Sequence, residues 1–326
     1  MAGIGVRLNN IYGKNSLMAD VVGFAYSTAI TVAPMLLVIL DILLMGFVLD
    51  FDSVAYLERE LFSCTVLYVF VFSMLTTSPF NSVLSKYMQD VIYEERYEDI
   101  LPCYYVGMFL AVCISSLLAV PFCLWEYFVG EVSLFYVFVG FCCYMLLVMV
   151  LYSMIYLSSC KEYQLISIFF MCGLAIAFLA AFILRLLLHW SVPFCMLFAL
   201  TLGFFLIAVL EYVTIKRYFK KNSNRYKAVL VYFKTFWQLA ATNFFYVLGL
   251  YVHNFVFWTT DMRIVVAESF VCNQPYDMAT CLAMFTNISA TVIFTSRVEM
   301  YFHEKYKAYS EAVIGGKGAD LENAKQ

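Results

Sequence analysis

Polar side chains recur at helical spacing inside three long apolar blocks of the sequence. They are Ser27, Thr31 and Asp41 in the first block, Gln238, Thr242, Tyr246 and His253 in the seventh, and Asn287 and Thr291 in the eighth. Within each block they fall on one side of a helix, because successive residues turn by about 100°. Hydroxyl, amide and imidazole groups on one face can hydrogen-bond a polar ligand. These positions are therefore candidates for lining a substrate path, and none is a candidate catalytic residue or metal ligand.

Each polar group also has a structural interpretation. Ser, Thr and Asn commonly bond one membrane helix to another, so the stripes indicate either a cavity or helix–helix contacts. Asp41 is a candidate proton or cation site; alternatively it reaches the outer headgroups. For His253, a titrating role competes with that of a hydrogen-bonded structural residue. Glu211 lies near the cytoplasmic end of its block and is expected to reach the interface.

The composition is that of a membrane protein. Of the 326 residues, 64% are hydrophobic and 13% are charged, whereas soluble domains are about 45–50% apolar and about 25% charged. Many apolar blocks are about 20 residues long, which is enough to cross the hydrocarbon core as a helix. They do not alternate polar and apolar residues as the strands of a membrane barrel do.

The blocks predict eight spans near residues 21–48, 61–80, 103–125, 133–157, 164–187, 192–214, 234–258 and 279–299. Of the 20 Lys and Arg residues, all but Arg59, Arg185 and Arg263 then fall on the side of the N-terminus. Basic residues are enriched on the cytoplasmic side. The sequence therefore predicts an all-α, polytopic transmembrane helical bundle with both termini cytoplasmic, and places Trp258 in the outer aromatic belt.

Several function classes are excluded. A net charge of -3 gives no broad basic field for nucleic acid. No P-loop, zinc-protease or serine-hydrolase motif is present, and no connection is long enough for a catalytic domain, so the chain is not expected to be an enzyme or to need a cofactor. The 11 cysteines are scattered without a CxxC pair, which favours packing over a metal site.

Two cytoplasmic connections are distinctive. The second loop, 81–102, is mixed in charge and predicts an amphipathic helix ending before Pro102. The sixth is basic. Either could dock a protein partner or bind lipid headgroups. The predicted organisation is a cytoplasmic segment (1–20), a six-helix lobe (21–215), a basic cytoplasmic linker (216–233), two helices of a second lobe (234–303) and a polar cytoplasmic tail (304–326).

Several stretches resemble the PelG family of exopolysaccharide (Pel) transporters. They are MAGIGVRL at 1–8, SKYMQDVIY at 85–93, DILP at 99–102, GLYVHNFVFW at 249–258, VEMYFHEKY at 298–306 and GG at 315–316. The matches keep their order along the chain. The family pattern implies an Asp-Lys-like pair where this chain has His253 and Asn254, so a charge-pair role is not carried over.

The resemblance implies a branch of the multidrug/oligosaccharidyl-lipid/polysaccharide flippase superfamily. Such proteins have two six-helix lobes, and spans one, two, seven and eight line the cleft between them. A chain ending after eight spans would then be truncated within its second lobe. The implied function is export of a Pel-type amino-sugar polysaccharide across the bacterial inner membrane during biofilm formation. Implied partners are a cytoplasmic glycosyltransferase and other membrane subunits, including a cyclic-di-GMP receptor. The alternatives are a lipid-linked oligosaccharide flippase and a non-transporting scaffold for the glycosyltransferase.

Overall fold

The computed structural model describes the backbone of residues 17–160, 162–280 and 282–283, and their side chains except at 17–32 and 163. The helices are α1 (Leu17–Val48), α2 (Tyr56–Tyr93), α3 (Ile100–Phe128), α4 (Leu134–Ser159), α5 (Tyr163–Leu188), α6 (Val192–Tyr218), α7 (Tyr226–Thr235) and α8 (Trp237–Phe257). Short 3-10 turns cover Phe51–Ser53 and Tyr97–Asp99, and the strands are β1 (Ile264–Val266) and β2 (Phe270–Cys272). Residues 274–280 are helical.

The predicted all-α membrane bundle is confirmed. Six helices of the described part are long and apolar enough to cross a membrane, and they coincide with the predicted spans two to seven. The first predicted span lies within α1, whose described apolar stretch is Ala33–Val48. The eighth, at 279–299, falls outside the described residues except for its first few positions.

The helix predicted for the second loop is the C-terminal part of the long helix α2. It continues unbroken to Tyr93 in place of a separate loop helix. Its C-terminal end is amphipathic: Val91 is fully buried, while Lys86 and Asp90 pair at 3.2 Å in half-exposed positions. After a short turn, α3 begins just ahead of Pro102, which sits in the first turn where a helix needs no backbone N–H.

Close packing of α5 on α6 depends on two glycines. A Cβ added to Gly173 would lie 2.4 Å from the Ile207 Cγ1 atom, and one added to Gly203 would lie 3.0 Å from the Gly173 carbonyl oxygen. The two backbones therefore touch without side chains between them. Small residues at such contacts provide the van der Waals packing that holds membrane helices together, because lipid gives no hydrophobic drive.

The predicted basic linker is partly a helix, α7, which packs on the C-terminal end of α2 and on α3. The Tyr232 hydroxyl donates to the Asp90 carboxylate at 2.5 Å, and the Phe233 ring meets Phe80 edge-on at 5.7 Å. Val229 is 1% exposed against the core. Burial and the bond to Asp90 raise the pKa of the Tyr232 phenol.

A second tie between the linker and the bundle forms at Asp99. This carboxylate is 1% exposed, and it accepts from Arg96 at 2.6 Å and from the Ser223 hydroxyl. The Ser223 backbone N–H also donates to the Glu98 carbonyl at 3.0 Å. The connection between α6 and α7 is thus held against the turn that precedes α3.

The hairpin formed by β1 and β2 was not predicted from the sequence. It follows α8 and packs on α2, where the Tyr68 hydroxyl donates to the Val271 carbonyl at 2.8 Å and accepts from the Val271 N–H at 3.0 Å. Tyr68 also stacks on Trp258, with ring centroids 5.1 Å apart. Trp258 is 7% exposed, so it is a buried anchor and the prediction of a belt position was wrong.

Asp277 fixes the same region from the other side. Its carboxylate accepts from the Asn254 amide at 2.6 Å, from the Trp258 indole at 3.2 Å and from the Asn273 backbone N–H at 2.9 Å. These bonds join the end of α8 to the segment after the hairpin. The aromatic anchor and the acid together hold this connection in one arrangement.

Candidate functional site: a polar cleft beside α2 and α8

A cleft of about 430 Å³ lies where α2, α4 and α8 meet, bordered by α1 and α5. Its lining mixes apolar and polar side chains. The polar ones are Thr77, Ser78, Asn81, Ser158, Asn243, Tyr246 and Tyr251. In a bundle this apolar, such a group of polar residues on several helices gives the cleft a hydrogen-bonding wall.

Pro34 of α1 lines the cleft, and Pro79 of α2 directly follows the lining residue Ser78. Proline lacks a backbone N–H, so Pro79 cannot bond the Leu75 carbonyl one turn earlier. The Ser78 hydroxyl donates to that carbonyl instead, at 2.8 Å. In lipid an unpaired carbonyl is costly, and a neighbouring hydroxyl is one of the groups that can replace the missing donor.

Some polar groups of the cleft are used in holding the helices together. The Asn243 amide donates to the Ser78 carbonyl at 2.5 Å, which ties α8 to α2. Thr77 donates to its own helix at the Ser73 carbonyl, 2.7 Å away, and the Tyr251 hydroxyl contacts the Met74 sulfur at 2.9 Å. These contacts shape the wall and leave their donors occupied.

Asn81 and Tyr246 are the cleft residues best placed to meet a ligand. Both are exposed, Tyr246 at 67%, and within the described part of the chain neither side chain has a hydrogen-bond partner. An amide offers donors and an acceptor, and a phenol offers a hydroxyl beside a flat apolar ring. This pair can bond hydroxyl groups while covering an apolar face.

One of the predicted path residues lines the cleft in the structure, and others do not. Tyr246 lines the cleft. Thr242 and Gln238 are exposed on α8 outside the lining, and the Thr242 hydroxyl donates to the Gln238 carbonyl of its own helix at 2.8 Å. Ser27, Thr31, Asn287 and Thr291 lie outside the described side chains.

The buried acids and the histidine lie away from the cleft. Asp41 is 6% exposed, and its Oδ2 has no hydrogen-bond partner among the side chains that the structure describes. Glu211 is fully buried, so the prediction that it reaches the interface was wrong, and neither of its carboxylate oxygens has a partner within the described part of the chain. His253 is half-buried, and its Nδ1 makes no hydrogen bond to any residue that the structure describes. None of the three lines the cleft.

Sequence reasoning missed the contribution of α2. The segment 73–81 reads SMLTTSPFN, with hydroxyls and a proline inside a predicted span and an amide directly after it. The hydroxyls of Ser73, Thr76 and Thr77 donate to carbonyls about one turn back in α2, and Thr76 also accepts from the Tyr144 hydroxyl. The signal was the density of polar residues around a proline, which marks a helix that borders a cavity.

The full chain, residues 1–326, matches the family model described as "PelG: Putative exopolysaccharide Exporter (EPS-E)". The chain belongs to the PelG family. No curated protein and no solved structure matches it. PelG membership confirms the resemblance carried by the sequence motifs, and it assigns this polytopic helical membrane protein to a family of exopolysaccharide exporters. In the part of the chain that the structure describes, there is no group of three or more His, Cys, Asp or Glu side chains that could hold a metal ion.

Proposed function

We propose that this protein exports a Pel-type amino-sugar exopolysaccharide across the bacterial inner membrane, and that the polymer passes the cleft beside α2 and α8. The observation that carries the proposal is a pair of polar side chains, Asn81 and Tyr246, on a cleft wall inside an apolar bundle. Neither has a hydrogen-bond partner among the described residues. Family membership supports a polysaccharide as the cargo. We place the first lobe at 21–215 and take α8 as the beginning of a second lobe.

The chemistry of the wall suits a polymer that must keep moving. A sugar leaving water needs replacement partners for its hydroxyls, and each neutral hydrogen bond contributes only about 0.5–1.5 kcal/mol net. Asn81 can donate and accept, and the Tyr246 ring can cover the apolar face of a sugar. A few weak contacts of this kind guide a chain without trapping it.

Partners are proposed from the cytoplasmic surface. The residues Lys216, Arg217, Lys220, Lys221, Arg225 and Lys227 are all exposed around the connection between α6 and α7. Because α7 and Ser223 hold this connection against the bundle, its basic side chains form a fixed surface. We propose that a cytoplasmic glycosyltransferase docks there, within an assembly that includes a membrane receptor for cyclic-di-GMP.

Asp41 is proposed as the coupling site if an ion gradient contributes to the drive. An ionised acid buried without a partner is costly, so this position favours binding a proton or a cation. The test compares Asp41→Asn with wild type before and after the proton gradient is collapsed. Equal secretion by the two proteins under both conditions removes Asp41 from the mechanism.

The cleft is tested by secretion from a strain that lacks its own copy of the gene. Asn81→Leu and Tyr246→Leu are expected to lower secreted polymer several-fold at equal protein level in the membrane, because each removes a polar group from the wall. Thr242→Leu is the matched control, since it makes the same kind of change on α8 outside the lining.

Unchanged secretion by both cleft variants would remove the cleft from the transport route. A deletion strain whose secretion is not restored by the wild-type chain, although the glycosyltransferase still co-purifies with it, would favour a scaffold.

A further inference from the structure

A second cavity, of about 270 Å³, lies between α2, α3 and α4 and is closed on one side by β2. It shares no lining residue with the polar cleft. Six aromatic residues line it: Tyr68, Phe72, Phe122, Phe141, Tyr144 and Phe270. By the predicted orientation of the spans, it faces the outer half of the bundle.

One carboxylate lines this aromatic cavity. Glu126 lies in the last turn of α3 and is 5% exposed. Within the described residues it has neither a hydrogen bond nor an ion pair. Taking a carboxylate out of water without a partner costs several kcal/mol. The cavity therefore holds either a neutral acid or a site for a cation.

The hydroxyl groups of the wall are already engaged. The Tyr68 hydroxyl is bonded to the backbone of Val271, and the Tyr144 hydroxyl donates to Thr76 at 3.2 Å. The Thr65 hydroxyl donates to the Leu61 carbonyl at 2.7 Å. The groups that remain for a ligand are the aromatic ring faces and one negatively charged acceptor, the Glu126 carboxylate.

This combination selects a ligand class. A sugar or a phosphate needs several free donors, which the cavity does not offer. Ring faces attract cations, and they do so most strongly when water is excluded. A carboxylate adds direct charge complementarity, while the apolar wall favours an apolar body on the ligand.

We propose that this cavity binds a small organic ammonium group, with Glu126 as its counter-ion and the aromatic rings around it. The proposal is independent of the route taken by the polymer. The volume lies just below the range of about 300–1,000 Å³ typical of ligand sites, so it fits a small amine or the amine of a lipid headgroup.

The test uses the full chain in nanodiscs, with benzyltrimethylammonium as the probe and neopentylbenzene as its uncharged isostere. Calorimetric titration is expected to show saturable binding of the cation and none of the isostere. Glu126→Gln is expected to weaken cation binding by about tenfold or more, since the counter-ion is lost while the rings remain. Glu126→Asp, which keeps the charge, is expected to retain more of the affinity.

Glu131→Gln is the matched control, because it removes the same charge five residues further on at an exposed position. Its affinity should equal that of wild type. If Glu126→Gln does not fold, the comparison of cation with isostere on the wild-type chain decides alone. Absence of cation binding to wild type, equal binding of the isostere, or unchanged binding by a folded Glu126→Gln would overturn the proposal.

The two sources of an ammonium group are separated by the lipid. Nanodiscs of phosphatidylglycerol alone are compared with nanodiscs that also contain phosphatidylethanolamine. Competition by the ethanolamine lipid supports a headgroup as the natural occupant, and unchanged affinity supports a free organic cation. Both results keep the ammonium site.

Discussion

The side-chain amide of Asn243 in α8 donates a hydrogen bond to the backbone carbonyl of Ser78 in α2, with 2.5 Å between nitrogen and oxygen. Ser78 immediately precedes Pro79, so the bond joins the two helices beside the point where α2 lacks one backbone hydrogen bond.

We expect Asn243→Leu to lower the free energy of unfolding by about 0.6 kcal/mol, and by no more than about 1.7 kcal/mol, as other hydrogen bonds between membrane helices do. Denaturant unfolding of the purified protein measures the change. Thr242→Leu, one residue away and bonded only within α8, should leave stability nearly unchanged. Equal loss in the two variants would show that Asn243 does not tie α8 to α2.

The linker helix provides a second prediction. Tyr232→Phe removes the hydroxyl that bonds Asp90 and should weaken docking of α7 by about 1 kcal/mol, a modest value because the acceptor is half-exposed. Trypsin should then cut about fivefold faster at Lys220, Lys221 and Lys227. Tyr226→Phe is the control, since the Tyr226 hydroxyl bonds only to other exposed side chains of the linker.

The pH dependence of this contact follows from the same tyrosine. Its pKa is raised above the ordinary 10.0, so the neutral phenol is the form that the folded state prefers. The stabilisation is complete below pH 10 and is lost as the pH rises through the elevated pKa. Between pH 7 and 9, the rate of tryptic cleavage of the wild-type linker should therefore not rise through ionisation of Tyr232. A Tyr232-dependent rise in that window would contradict the assignment.

Cys64 and Cys272 should cross-link when the protein is mildly oxidised. The two thiols are buried in one small cluster that joins α2 to β2, and their side chains interact directly. Copper phenanthroline should protect two thiols from maleimide labelling, and a reductant should restore them. Cys64→Ser should abolish this protection, whereas Cys113→Ser, at an exposed position, should not. Protection that survives in Cys64→Ser would mean that another pair has reacted.

Glu211 should be dispensable for stability. Both of its carboxylate oxygens are buried with no partner among the described residues, and leaving a buried polar group unsatisfied costs about 1–3 kcal/mol. Glu211→Met should therefore raise the free energy of unfolding by about that amount. Glu268→Met, at an exposed position in the hairpin, should change it little. A marked loss of stability in Glu211→Met would show that the carboxylate has a partner in the working protein.

The helical bundle could be predicted because its signal is local. Apolar blocks of sufficient length specify spans whatever their neighbours are, and six helices of the described part fall where the blocks do. The continuation of α2 beyond its apolar block could not be read in the same way. Its polar half is held as a helix by burial of residues such as Val91 against α3 and α7, which is a tertiary effect.

The cleft was predicted in part. Tyr246 was found from its place on a polar helix face, and it lines the cleft. Thr242 and Gln238 share that face but lie outside the lining, because helical spacing gives a direction and not the depth of a neighbouring helix. Asn81 was missed, since its role depends on how α2 and α8 meet. The hairpin was missed because its strands are short and gain their order from Tyr68 and Trp258.

The substitute bond at Pro79 gives α2 a mechanical property. A side-chain hydroxyl can follow its carbonyl through a change of angle more readily than a backbone N–H can, since Ser78 turns about its own single bonds. The two halves of α2 can therefore tilt against each other with the Leu75 carbonyl still paired. Asn243 is hydrogen-bonded to the same short segment. Such a tilt would therefore move α8 together with α2, with Pro79 as the hinge.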